Sequence, residues 1–244
     1  MTSVIIPCIY RPDLTKTCID SVLAYSKDYE IILVHEGDDQ EIGDLLRGYA
    51  DQWSYKVKYV QNKVAKGFPG AMNTGLALAK GEYICFLNSD TVVTPNWLEK
   101  MLRGFNDPQV GLVAPTLPGI LNRQSVDWNL RKTDENYREF EYLLGEHASF
   151  AVIGVCFLIP KKVLDKIGSF DESFCDDGAK GGGEDYDLTY RINKEYLLAI
   201  ARDVYIYHYQ GASFKEIFKD LGEARENAAR QFAKLEKKHN IQIL

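Results

Sequence analysis

Residues 83–90, Tyr83-Ile84-Cys85-Phe86-Leu87-Asn88-Ser89-Asp90, run five apolar or aromatic side chains straight into an amide, a hydroxyl and a carboxylate. A short unbroken apolar run suits a strand covered on both faces, and its polar end marks the point where that strand opens to solvent. Similar runs recur on either side. Val4–Ile6 is stopped by Pro7, and Glu30–Val34, Lys56–Val60 and Val110–Ala114 also read as strands. Helical spacing fills the gaps between them. Pro12 stands at a helix start ahead of Leu14, Cys18, Ile19, Val22 and Leu23; Glu41–Trp53 is polar and amphipathic; Phe68–Ala79 is rich in small residues and ends near Gly81. Thr94-Pro95 is the expected cap of a further helix carrying Trp97, Leu98, Met101, Leu102 and Phe105. Strands alternating with helices imply βαβ units, hence an α/β, Rossmann-like fold with a mainly parallel central sheet flanked by helices. Ligands of such sheets gather at the carboxyl ends of the strands. That places residues 7–11, 35–39, 61–67 and 88–91 on one rim.

The second half is less regular. Residues 116–148 are polar and aromatic with weak periodicity, and Tyr137–Tyr142 suits either a sugar-stacking surface or plain packing. Ala151–Ile159 reads as a long apolar strand and Lys161–Ile167 as a short helix ending at Gly168. A Gly-rich stretch, Gly178–Gly183, is expected to be mobile and leads into a helix from Glu184 through Ile192. Leu197–Ala201 and Val204–Tyr207 are strand-like and deliver His208. Ser213-Phe214-Lys215-Glu216 has capping-box form and would open an amphipathic helix with Ile217, Phe218, Leu221, Ala228, Phe232 and Leu235. That helix would pack on the core, a homodimer contact being the other reading. No repeat or linker interrupts the chain, so residues 1–244 are expected to form one domain.

The chain has 244 residues and a formal charge of −6. An acidic balance disfavours a broad grip on nucleic acid, and no nucleic-acid partner is expected. Five scattered cysteines make neither a C-x-x-C pair nor a disulfide framework. Reduced thiols fit the cytosol. The opening MTSVIIP is no secretory signal and no run approaches 18 apolar residues. The expectation is therefore a cytoplasmic protein without a transmembrane segment, or one held peripherally at the inner face of a membrane. The sequence lacks G-x-G-x-x-G, G-x-x-x-x-G-K-[ST], G-x-S-x-G and H-E-x-x-H. It thus lacks the usual marks of a dinucleotide enzyme, an ATPase, a hydrolase or a zinc protease.

Three stretches could carry chemistry. Asn88-Ser89-Asp90 offers the oxygen donors that a hard divalent cation prefers, although it equally suits an Asx turn. Glu184-Asp185-Tyr186-Asp187 puts three carboxylates at a helix start. They either offset the helix dipole or supply a general base whose pKa is raised by crowding. His208 ends an apolar strand and is either a packed histidine or a ligand. Arg11, Lys63 and Lys66 are rim cations that could meet phosphate or merely be solvated. Arg191 is spaced to pair with Asp187 at i+4.

Together these stretches resemble family 2 glycosyltransferases of the GT-A fold. Val4-Ile5-Ile6-Pro7 looks like that family's first strand, and residues 66–75, from Lys66-Gly67 through Asn73 to Gly75, look like its segment beside the nucleotide. Residues 81–91 are similar to its G-E-Y-I-x-F-L-[ND]-x-D signature, 183–188 to its "ED" motif, and 207–213 to a late H-x-x-G-x-S segment. The resemblance implies a divalent metal, Mn²⁺ or Mg²⁺, held by Asp90 and His208. It implies a catalytic base at Asp185, with Glu184 orienting the site or serving instead. Donor contacts would come from Pro7, Tyr10, Arg11, Glu36, Lys66, Gly67, Asn73, Asn88 and Ser89. His35 stands where the family often has an Asp, so contact with the nucleotide base falls to Glu36 or Asp38.

The implied activity is inverting transfer of a sugar from a nucleotide-diphosphate sugar, with UDP favoured over dTDP or GDP. The acceptor would be a glycan, lipid-linked or protein hydroxyl, within glycan or surface-polysaccharide synthesis. Residues 1–115 would form the nucleotide-sugar-binding half, 116–212 the acceptor and catalytic half, and 213–244 the C-terminal helix. The alternatives are a sugar-nucleotide-binding scaffold of the same fold and a GT-A-like nucleotidyltransferase. Against the second stands the strand-one loop Ile6–Arg11, which is neither Gly-rich nor strongly basic.

Overall fold

Unbroken apolar runs need cover on both faces, and the central sheet meets that need with one helical layer on each side. The computed structural model describes residues 1–119, 123–125, 139–143, 152–176, 180–210, 212 and 218–242. The main strands are β1 (Thr2–Cys8), β2 (Tyr29–Glu36), β3 (Val57–Asn62), β4 (Tyr83–Leu87), β6 (Val110–Thr116), β7 (Phe140–Leu143), β8 (Cys156–Pro160) and β11 (Leu197–Tyr205). They form one sheet in the order β3-β2-β1-β4-β8-β6-β11-β7. β1 is parallel to β2 and β4, β2 to β3, and β6 to β11, whereas β8 runs against β4 and β7 against β11. The sheet is therefore mostly parallel. Strands from before and after residue 115 interleave within it.

Neighbouring residues of one strand feed opposite layers. Val4 and Ile6 join a core with Cys18, Ile19, Ile42, Leu46 and Trp97, so α1 (Pro12–Tyr25), α2 (Gln40–Gln52) and α4 (Trp97–Leu102) cover that face. Ile5, Ile32, Val34 and Phe86 join a second core with Ala71, Met72, Val163, Leu188 and Ile192. There α3 (Gly67–Leu76), α5 (Lys161–Ile167) and α6 (Glu184–Asn193) lie on the sheet. Two short antiparallel pairs stand outside it: β5 (Thr91–Val92) with β12 (Tyr207–His208), and β9 (Cys175–Asp176) with β10 (Lys180–Gly181). The last helix is α7 (Leu221–His239). Among the described residues no helix is long and apolar enough to cross a membrane. The five cysteines are free thiols.

Several boundaries differ from the sequence reading. β8 begins at Cys156, because Ile153 and Gly154 turn their backbone amides to the side chains of Gln124 and Asp185 instead of to a strand. Thr94 does not cap α4: its hydroxyl donates to the Tyr205 carbonyl at 2.8 Å, and Asn96 takes the cap position in a left-handed conformation (φ 60°). The segment expected at 197–201 extends into β11, Leu197–Tyr205, with a register shift against β6, while Tyr207 of the segment expected at 204–207 opens β12. Ser213–Glu216 and Tyr137 lie outside the described residues. α7 starts instead at Asp220, whose carboxylate accepts from the Glu223 amide while the Glu223 carboxylate accepts from the Lys219 amide. Asp220 and Glu223 thus satisfy backbone amides at the start of α7 with their carboxylates.

α3 approaches the sheet through a glycine. A Cβ on Gly75 would sit 2.3 Å from Ile5 Cγ2 and 3.2 Å from Val34 Cγ2. Gly75→Ala should therefore push α3 off β1 and destabilise the protein by about 1–3 kcal/mol, the usual scale of overpacking. Urea unfolding measures it, and a midpoint equal to wild type would contradict this packing.

Candidate active site

The carboxyl ends of β1, β2 and β4 share one rim, and a cavity of about 320 Å³ opens there. Pro7 and Tyr10 enter from β1 and its following turn, Glu36 from the end of β2, and Gly67 from the start of α3. Asn88, Ser89 and Asp90 enter from the turn after β4, and Glu184 and Asp185 from the first turn of α6. The β5–β12 pair sets His208 opposite Thr91, and the Tyr209 amide donates to the Asp90 carbonyl at 2.9 Å. His208 Nε2 consequently lies 3.3 Å from Asp90 Oδ1. Residues 118 positions apart in the chain meet.

Four of the sequence-predicted residues lie outside this lining. His208 faces an adjoining groove, lined also by Arg11, Tyr209 and Gln210. Arg11 pairs there with Asp13 at 2.8 Å. Asn73 turns away: its Nδ2 donates to the Phe170 carbonyl and to Glu172 Oε1, both at 2.9 Å, and so ties α3 to residues 170–172. The Lys66 side chain is exposed, while its backbone amide donates to Glu36 Oε2 at 2.5 Å. His35 is buried against Tyr59 (Nδ1 to Oη, 3.0 Å), and burial together with the Arg47 charge holds its pKa down. Glu36, not His35, reaches the cavity.

A family model described as Glycosyl transferase family 2 matches residues 3–168. The chain belongs to that family. It is 26% identical over 230 residues to the O-antigen biosynthesis protein RfbC of Myxococcus xanthus, a match covering 86% of this chain and 17% of RfbC. Among solved structures it resembles S. aureus TarS 1-349 in complex with UDP-GlcNAc (TM-score 0.66, 17% identity, 89% of this chain and 61% of that one). It also resembles the mannosyltransferase PcManGT of Pyrobaculum calidifontis in complex with GDP-Man and Mn²⁺ (TM-score 0.68, 18% identity, 97% and 64%). The chain thus spans less than two thirds of the length of each of these proteins. The structural likeness establishes the GT-A fold.

The charge pattern of this family 2 site is uneven. Glu36, Asp90, Glu184 and Asp185 all line the cavity, and among the described lining residues there is no cationic side chain. Glu184 and Asp185 face the cavity but are otherwise enclosed by protein. Burial, then the Asp185 charge, pushes Glu184 up to about 8, and its Oε2 has no hydrogen-bond partner among the described residues. Burial also raises Asp185, against the backbone amides of Gly154 and Tyr186, each donating at 2.9 Å. Burial raises Glu36 as well, opposed by Asn62 and the Lys66 amide. Asp187 takes no part in the cavity. It is fully buried and paired with Arg191 at 2.8 Å, as the i+4 spacing predicts.

Gly154 is the functional residue that the sequence reading missed. A Cβ there would sit 2.8 Å from Asp185 Cβ, so only a bare backbone lets the amide reach the carboxylate. The signal was present, since an isolated glycine inside an apolar run marks a close backbone approach. Ile153, Val155 and Phe218 also line the cavity, and nothing in their local sequence announces it.

The acid pair sets the sign of a pH effect. Glu184 titrates near 8 when folded and near 4.5 when unfolded, so the folded state holds the extra proton between those values and loses stability as pH rises through them. Glu184→Gln removes that loss. The variant should gain melting temperature over wild type at about pH 8.5 relative to the difference at about pH 5. An equal difference at both values would show that Glu184 is not strained by burial.

Proposed function

We propose that this chain transfers a sugar from a nucleotide-diphosphate sugar to an acceptor hydroxyl, with a divalent cation and inversion at the anomeric carbon. The observation that carries the reading is the cavity's charge. A diphosphate cannot enter a site walled by four carboxyl groups, with no cationic side chain among the described lining residues, unless positive charge accompanies it. The Asp90–His208 pair supplies a carboxylate and an imidazole at its edge. Asn88 Oδ1 and His208 Nδ1 are buried without hydrogen-bond partners among the described residues, as donors reserved for a ligand would be. Among the described residues no group of three His, Cys, Asp or Glu side chains is placed to hold a metal ion by itself, so phosphate oxygens and water would complete the shell, the usual pattern for Mg²⁺. The neighbour with GDP-Man and Mn²⁺ supports the same pairing of cation and donor.

When bound, the cation would neutralise the charge that grows on the leaving diphosphate. The chain's own groups do the rest. Pro7, Tyr10, Glu36 and Gly67 line the end of the cavity formed by β1, β2 and α3, which suits the nucleoside, while Asn88 and Ser89, after β4, would contact the rest of the donor. Asp185 takes the acceptor's proton. Burial raises its pKa and its two amide donors oppose that rise, which suits a base that must both hold and release a proton. Glu184, protonated at neutral pH, adds no second negative charge and orients the hydroxyl. One displacement, with no carboxylate nucleophile, inverts the centre. UDP-sugars are the favoured donors, as the TarS complex with UDP-GlcNAc suggests. A role in glycan synthesis agrees with the likeness to RfbC.

Asp90→Ala should abolish metal-dependent donor binding. Calorimetry with a UDP-sugar, with and without Mn²⁺, tests it, and an affinity that ignores the metal in wild type would end the metal assignment. Asp185→Asn should leave donor affinity nearly intact while transfer falls by ~10²–10⁴-fold, the scale of a lost general base. Near-normal turnover would move that role to Glu184.

A further inference from the structure

Helix α7 turns polar side chains inward where an amphipathic helix would place apolar ones. Asn227 is 4% exposed and Gln231 1%. Asn227 Nδ2 donates to the Gly181 carbonyl at 2.9 Å, and its Oδ1 accepts from Arg230 Nη2 at 2.8 Å. A Cβ on Gly182 would lie 3.7 Å from both Asn227 Nδ2 and Gln231 Cγ, and one on Gly183 would lie 3.8 Å from the Gln231 carbonyl. One turn earlier, Glu223 pairs with Lys180 at 2.5 Å. Positions 223, 227 and 231, one helical turn apart, therefore read successive residues of the strap 180–183. Gly183 caps α6 with φ 82°, and Gly181, Glu184 and Asp185 all line the cavity. Beyond the acids, α7 takes hold again: Asp187 meets Lys238 Nζ at 2.6 Å and His239 Nε2 at 2.8 Å.

We propose that Asn227 is a positioning residue for the carboxyl pair. Its amide fixes the glycine strap just before Glu184, while Lys238 and His239 fix Asp187 just after Asp185. The pair is thereby bracketed between two points of one helix. β9 pairs with the strap only at Lys180 and Gly181, so the freedom of three successive glycines calls for a second partner, on α7, to hold Asp185 at a set distance from an acceptor. Small misplacements of a reacting group cost up to ~10²-fold in rate. Residues 178 and 179 of the stretch expected to be mobile lie outside the described residues, whereas 180–183 are tied to α7. The inference rests on the proposed transfer reaction.

The test uses the full chain carrying Asn227→Ala or Asn227→Asp. The Asp variant keeps the volume and the Arg230 contact but cannot donate to Gly181, so it carries the experiment if the Ala variant does not fold. In both variants kcat for transfer should fall by ~10-fold or more with the donor KM within about twofold. Amide hydrogen exchange across 181–187 should quicken in step. A kcat within about twofold of wild type in Asn227→Asp, a KM that rises as far as kcat falls, or unchanged exchange would each overturn the assignment. A wild-type chain that transfers nothing from any nucleotide sugar would sink the transfer reading instead, and the exchange comparison would still decide whether Asn227 holds the strap.

Discussion

Two strands of two residues each, β5 and β12, hold this site together. Their pairing sets His208 against Thr91 and brings its imidazole to Asp90. Such a pair would be marginal alone. It persists because both ends are rooted in the sheet, Asp90 just after β4 and His208 just after β11, while the Thr94 hydroxyl binds the Tyr205 carbonyl across the join. The rim of a parallel sheet is a place where ligands can bind. This pairing makes it a place where a carboxylate and an imidazole face one point.

The second constraint is charge. Four carboxyl groups around one cavity are costly if all are ionised, and the protein limits the cost group by group. Glu36 accepts from Asn62 and the Lys66 amide, Asp185 from two backbone amides, and Asp90 lies beside His208. Burial and the neighbouring Asp185 charge push Glu184 towards its neutral form. What remains favours a ligand that arrives with a cation. Behind the cavity, Asp187 shows the opposite solution: a fully buried carboxylate paired with Arg191 and Lys238 and hydrogen-bonded to His239. Neighbouring acids on one helical turn therefore serve different ends, set by what surrounds each one.

Most of the first half was legible because its physics is local. Buried parallel strands need continuous apolar residues, so Tyr83–Leu87 matched β4 end to end; in the second half, the locally patterned Lys161–Ile167 with its Gly168 stop matched α5 as well. Reading failed where a side chain found a distant partner. Thr94 looked like a cap but binds Tyr205; Val152–Val155 looked like strand but turns to meet Gln124 and Asp185. Asn73 sits within a nucleotide-side motif yet secures Phe170 and Glu172. In each case a hydrogen bond across more than 25 positions outweighed the local pattern.

The sequence by itself determined the α/β alternation, the rim on which Pro7, Glu36, Asn88 and Asp90 stand, and the helix that begins with the acid cluster. Those follow from periodicity and from where strands end, which are properties of neighbouring residues. Only the tertiary structure decided that Glu36 rather than Asp38 enters the cavity, that Arg11 and His208 lie in the groove beside it, and that Gly154 meets Asp185. It alone showed that α7 braces the glycine strap. These depend on close approach between segments far apart in the chain, and burial, charge and hydrogen bonding act across such distances only once the chain has folded.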